Sequence, residues 1–183
     1  GLDPAAGASA VRELARQALA LEGLADPARG TTINVGVIGG GTRSNVVAGS
    51  AFCLIDVRVT SMAEAARLET AFAALRSVDP RVTLQVQGSV ARPPMERTAG
   101  VQRLYEEARL VSEALGRPVG EGAAGGASDG NFTAAIGAPT LDGLGALGDG
   151  AHARHEHIVI EALPARTALV AGLLARLGAA GPG

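Results

Sequence analysis

"TTINVGVIGGGTRSNVVAGSAFCLIDVRVT", residues 31–60, decides the fold. Residues 31–38 and 45–60 are rich in β-branched side chains, and "CLIDVRV" alternates apolar with polar positions, the period of a half-buried strand. Between them "GGGTRS" supplies the glycines a reversal needs, so the two stretches are expected to pair antiparallel. Working outward, residues 4–24 place Val11, Leu14, Ala15, Ala18 and Leu21 at helical spacing. Residues 61–78 read as a second helix, with Ser61 as N-cap, Glu64 in the capping-box position, and Asp79-Pro80 as its stop. "RVTLQVQGSV" (81–90) alternates strictly and reads as a third strand. The order helix, strand, strand, helix, strand is a split β-α-β pattern lacking its first strand. Such a sheet keeps an open edge, which invites a missing strand or another subunit.

"ARPPMER" (91–97) holds the chain's only Pro-Pro and marks a boundary between residues 1–90 and 91–183. Beyond it, helices are expected at 100–116 and 161–177, and short strands at "PVGEGA" (118–123), "APTLDGLG" (138–145) and "HIVI" (157–160). A glycine-rich turn at 125–137 enters a further helix capped by Ser128. This alternation suggests part of an α/β layer, so the class is α/β with an α+β first domain.

Composition narrows the function. The 183 residues include 47% hydrophobic but only 2% aromatic side chains, so any core is built from Ala, Val, Leu and Ile. The formal net charge is −2, and all 16 basic residues are arginines scattered along the chain, which is no footprint for nucleic acid. The lone Cys53 excludes an internal disulfide framework and fits a reducing compartment. No apolar run approaches the ~20 residues of a membrane span, and no signal peptide is visible. A cytoplasmic protein is expected, although the chain opens on Gly1.

Several motifs point to chemistry. Gly36 and Gly41 have P-loop spacing, but Thr42 stands where the phosphate-binding lysine belongs, and a strand follows. Gly143, Gly145 and Gly148 match G-x-G-x-x-G without a helix to receive a pyrophosphate. "GASDG" places Ser128 between Gly126 and Gly130 as in a nucleophile elbow, with Asp142 or Asp149 and then His152 in serine-hydrolase order. The same serine serves equally as a helix cap. "GDGAHARHEHI" (148–158) contains all three histidines, His152, His155 and His157, but lacks the H-E-x-x-H spacing of two ligands on one helical face. His155 and His157 read as solvated. His152 stands out because small neighbours, Gly148, Gly150 and Ala151, permit close approach of the backbone to a buried centre.

Taken together, "GTTINVGVIGGGTRSNVV" with "IDVRV", then "RPPME", then "GGASDGNFTAAIGAPTLDGLGALGDGAHARHEHI" resembles the di-zinc hydrolase family of acetylornithine deacetylase, succinyl-diaminopimelate desuccinylase and glutamate carboxypeptidase. Within it the chain looks closest to the glutamate carboxypeptidase-like branch. The resemblance covers nearly the whole chain. It implies that residues 1–90 are most of a dimerising lid and that 91–183 are the C-terminal piece of a catalytic domain. It also implies that His152 is a zinc ligand, in a family with two zincs per protomer and cobalt or manganese as alternatives. Asn45 and Arg58 match lid positions for substrate recognition, and Asn45 is expected to reach the neighbouring subunit's site. Arg92 is expected to meet a substrate carboxylate, and Gly126 and Ser128 to line the substrate pocket.

The family's general base and remaining ligands have no counterpart here, so no catalytic residue is assigned, and the isolated chain is expected to be inactive. Gly1 resembles the glycine of a His-Ala-Gly that opens the first lid helix, which would put the lid's first strand upstream. The expected function is part of a metal-dependent amidohydrolase or peptidase acting on a small N-acyl amino acid or dipeptide-like substrate. A homodimer through the lid is expected, with an N-terminal companion fragment as a further partner. The alternatives are a non-catalytic dimerisation or binding module and, third, a serine esterase using Ser128.

Overall fold

The computed structural model describes residues 6–179. The chain forms two compact units, Gly1–Pro94 and Met95–Gly183.

In the first unit, α1 (Ala10–Glu22) begins where the Arg12 N–H donates to Ser9 Oγ. A 3-10 turn (Pro27–Arg29), capped by Asp26, leads to β1 (Thr32–Gly40), which pairs antiparallel with β2 (Ala51–Arg58). Thr32 faces Arg58 at one end and Gly40 faces Ala51 at the other, with a bulge between Val35 and Val37. Gly39 lies so close to the Phe52 ring that a Cβ there would stand 2.8 Å from it. Helix α2 (Met62–Ala73) is capped by Ser61, whose Oγ accepts from the Glu64 N–H. The buried apolar side chains of this unit are Leu21, Ala48, Ala65 and Leu68.

Two buried carboxylates supplement that small core. Glu13 on α1 accepts from Gln17 Nε2 (2.8 Å) and from the backbone N–H groups of Val78 (2.8 Å) and Asp79 (3.1 Å). Glu64 on α2 accepts from Arg67 Nε (2.9 Å), Arg29 Nη1 (2.8 Å) and Thr31 Oγ1 (2.8 Å). Helix α2, expected to run to Val78, therefore ends at Ala73. Gln17 binds the Arg76 carbonyl, and Glu13 takes the two N–H groups that follow.

Two strand expectations are corrected. The expected strand 45–60 begins only at Ala51, so residues 41–50 form a loop that contains Asn45. Residues 81–90 join no ladder, and the sheet is two-stranded. Val82 and Leu84 are half-buried between exposed Arg81, Thr83 and Gln85, but Val86 is exposed, so the alternation in burial holds only over the first half of the segment. Alternation selects a face, but a strand also needs a neighbour, and among the described residues none lies beside it.

In the second unit, α3 (Ala99–Ala114) packs on α5 (Leu163–Ala179) through buried Ala108, Val111, Leu169 and Leu173. A Cβ at Gly172 would stand 2.6 Å from Val111 Cγ1, so this glycine sets the helix crossing. Between them lie α4 (Gly130–Ala135) and a short hairpin, β3 (Gly148–Asp149) with β4 (His157–Ile158). The strands expected at 118–123 and 138–145 are not formed, and "HIVI" gives way to a 3-10 turn at Ile160–Ala162. These glycine-rich stretches are held by side chains instead. Arg166 donates to the carbonyls of Gly145 (2.7 Å) and Gly143, and the Val119 N–H donates to Ser112 Oγ. Contrary to expectation, the segment Ile160–Ala179 is long and apolar enough to span a membrane by length and composition. Leu169 and Leu173 of this segment are buried against α3, whereas Ile160 and Leu174 are exposed. The class remains the expected mixed α/β fold, with small antiparallel sheets and helices.

The carboxylates make the first unit acid-labile. Arg67 first, then Arg29 and Thr31, hold the Glu64 carboxyl down at about 2, and the Arg81 side chain holds Asp79 at about 2 as well. Gln17 and the Val78 N–H also lower Glu13. A depressed folded value stabilises the fold above the unfolded carboxyl value of about 4.3, and that contribution fades as pH falls toward the folded value. Urea midpoints are expected to be flat above about pH 5.5 and to drop between about pH 4.5 and 2.5. Glu64→Gln should lower stability at pH 7 and shallow the acid slope; an unchanged slope would refute the assignment.

Candidate functional site

His152 sits at the tip of the β3–β4 hairpin, exposed, with φ of 67°. It is the only non-glycine residue with positive φ among the described residues. The Ala153 N–H donates to the Gly150 carbonyl at 2.8 Å, so His152 is the third residue of a four-residue turn. Positive φ at that position alone is the pattern of a type II turn, where glycine or asparagine is favoured. A side chain with a Cβ is strained there, and such strain concentrates at functional sites.

Within this unit, Gly148 and Gly150 serve the hairpin itself. A Cβ on Gly148 would lie 2.0 Å from the His157 carbonyl oxygen, so only glycine permits the pairing. Gly150 has φ of 74° and lies against the His155 ring. His157 Nδ1 lies 3.1 Å from the His155 carbonyl oxygen. The three histidines therefore have different settings. Among the described residues no group of three His, Cys, Asp or Glu side chains could hold a metal ion. His152 fits a metal as a single imidazole presented at a loop tip, and any complete site must draw its other ligands from elsewhere.

Ser128 is tied into its own turn. Its Oγ accepts from the Gly130 N–H (3.1 Å), and its N–H donates to Asn131 Oδ1 (2.9 Å). The N-cap of α4 is Asp129, not Ser128 as expected, and Asp129 makes no side-chain capping bond. A nucleophile elbow needs a strand before the serine, and residues 118–127 form none. Gly130 is crowded by Met95, Ser128 and Thr140, so it serves packing. Gly126 is exposed, with open space where a Cβ would stand. Asn131 escaped the sequence reading, although its i+3 spacing from Ser128 was a usable signal.

In the first unit Asn45 lies in the β1–β2 loop, in a turn closed by the Val46 N–H on the Arg43 carbonyl (3.2 Å). Its side chain is exposed. Arg58 closes β2 at the opposite end of the hairpin and is ion-paired with Asp56 at 2.8 Å. The seven-residue step from Ala51 to Arg58 spans about 23 Å at the usual strand rise, so one copy of this unit does not bring Asn45 and Arg58 together. The i,i+2 spacing of "DVR" had already put Asp56 on Arg58's face. Arg92 is exposed in the segment that follows.

Comparison with known proteins fits this geometry. Residues 1–81 match the family model described as a peptidase dimerisation domain. The chain is 28% identical to carboxypeptidase G2 of Pseudomonas sp. (strain RS-16), over 98% of this chain and 44% of that protein. It is also 28% identical to the uncharacterized protein YqjE of Bacillus subtilis (strain 168), over 95% of this chain and 47% of that one. The crystal structure of aminopeptidase PepT from Bacillus cereus ATCC 10987 superposes with a TM-score of 0.74 at 26% identity, covering 96% of this chain and 47% of that one. The chain is thus related to peptidases that share this architecture, and its mixed α/β fold is theirs. It spans about half the length of the relatives it matches.

The strain at His152 is directly measurable. His152→Gly should raise the unfolding free energy of the second unit by about 1 kcal/mol by removing the left-handed Cβ clash, whereas His152→Ala should not. Equal stability of the two variants by urea titration would show that the turn is unstrained.

Proposed function

We propose that this chain is the C-terminal half of a zinc-dependent hydrolase that cleaves the amide bond of a small N-acyl amino acid or dipeptide-like substrate, in the glutamate carboxypeptidase-like branch of its family. The observation that carries the reading is His152. A chain related to peptidases through both units holds its resembling metal ligand in the one strained non-glycine conformation among the described residues.

In this reading residues 1–90 are the dimerising lid and 91–183 complete the catalytic domain. An N-terminal companion segment supplies the remaining ligands and the general base. His152 would hold one metal of a pair, zinc before cobalt or manganese, through a neutral imidazole nitrogen. Bound zinc supplies Lewis acidity toward the scissile carbonyl and acidifies water. Asn45 offers an amide N–H to the oxygen on which negative charge develops. Arg58 and Arg92 offer guanidinium forks to substrate carboxylates. Gly126 and Ser128 line the pocket, where the bonds of Ser128 to Gly130 and Asn131 fix its position.

The separation of Asn45 from Arg58 supports the homodimer. A small substrate cannot reach both ends of one hairpin, so a site using both residues draws them from two subunits. The proposed setting is the cytoplasm. A second reading, a non-catalytic dimerisation module, is favoured by the exposed Val37, Phe52 and Leu54 on one face of the β1–β2 sheet.

Native mass spectrometry and kinetics on the protein carrying this chain with its upstream residues test the proposal. Two zincs per protomer are expected. His152→Ala should remove one of them and lower kcat/KM by about a thousandfold or more, since a side chain bound directly to the metal is lost, with dimerisation intact. A chelator should abolish turnover. A dimer that binds no zinc and is indifferent to His152→Ala would overturn the hydrolase reading in favour of the module.

A further inference from the structure

The first unit carries an open, solvent-facing cavity of about 560 Å³ between the start of α1 and the β1–β2 loop, within the size range of small-molecule sites. Its polar wall consists of Ser9, Arg12, Thr42, Arg43 and Ser44, and among the described residues no Asp or Glu lines it. The arginines are not neutralised as most others in this unit are. The Arg43 guanidinium makes no hydrogen bond or ion pair among the described residues. Arg12 is close enough to Asp79 to act on it through charge, but Asp79 is already held by Arg81 at 2.9 and 2.8 Å. Glu13, next along α1, gives its oxygens to Gln17, Val78 and Asp79. Ser9 Oγ accepts from the Arg12 N–H, which leaves its own proton free to donate.

The rest of the wall is apolar and open to solvent: Val11, Val46 and Val47 are 41%, 52% and 37% exposed. Exposed valines beside unneutralised guanidinium groups suit a ligand with a hydrocarbon body and an anionic end. A guanidinium binds a carboxylate through two parallel N–H···O bonds, and the hydroxyls of Ser9, Thr42 and Ser44 add donors.

We propose that this cavity binds a small organic carboxylate, with its acid group between Arg12 and Arg43 and its hydrocarbon body against Val11, Val46 and Val47. The site is built from described residues of the first unit and calls on no metal, so its failure and that of the hydrolase reading are distinguishable.

Hexanoate, with hexanamide as the neutral isostere, is titrated into the 183-residue chain without added metal while backbone amide shifts are followed. Saturable shifts at Ser9–Arg12 and Gly41–Ala48 are expected with hexanoate and absent with hexanamide. Arg43→Gln and Arg12→Gln should each weaken hexanoate about tenfold or more, as loss of one charged fork implies, and added salt should weaken it further. Arg43 is exposed on a loop, so its variant should keep the wild-type spectrum elsewhere. Equal shifts with both probes, affinity unchanged in both variants, or shifts confined to other residues would overturn the proposal.

Discussion

The first unit depends on two carboxylates. A two-stranded sheet is not stable alone in water, and its four buried apolar side chains, Leu21, Ala48, Ala65 and Leu68, include two alanines. Glu13 and Glu64 supply what that core lacks, because each buried oxygen has a donor and each carboxylate takes donors from outside its own helix as well as from within it. Glu64 joins α2 to the 3-10 turn and to Thr31 at the entry of β1, while Glu13 joins α1 to the exit of α2. A buried carboxylate is costly unless fully hydrogen-bonded. Each therefore fixes the path of the chain around it, and the hairpin inherits its position from them.

That position separates the two ends of the hairpin. One end carries the loop of Asn45 and Arg43, tied to α1 by the Ala10 N–H on the Ala48 carbonyl at 2.9 Å. The other carries Arg58, beside Thr32. The rigid strand pair acts as a spacer that holds the Asn45 loop and Arg58 at opposite ends of the hairpin.

Much of this was legible in the sequence. The hairpin, both helices of the first unit and the Ser61 cap followed from periodicity and capping chemistry, because those signals are local. The strands at 81–90, 118–123 and 138–145 were misread for one shared reason: pairing is non-local, and an apolar or alternating run shows what a strand requires without showing that a neighbour exists. The length of α2 was overestimated because its last turn lost its bonds to Glu13 and Gln17, more than fifty residues earlier. At the candidate site, the clustering of histidines was visible, but not that His152 alone would be strained, since "GAHA" does not disclose its turn type. The cavity beside Arg12 and Arg43 was invisible, because it needs two segments that meet only in the fold.

The strain at His152 acquires meaning from what surrounds it. An unconstrained loop would relax out of the left-handed region at no cost, so the conformation persists only because its flanks are fixed. Gly148 lets β3 approach β4 closely, and Gly150 accepts its own positive φ beneath the His155 ring. Arg166 on α5 ties down the Gly143–Gly145 carbonyls just ahead of the hairpin. Glycine at position 152 would satisfy the same turn without strain. Histidine there gives up backbone comfort to set an imidazole at the tip of a hairpin, and the cost of its left-handed backbone is borne by the braced strands around it.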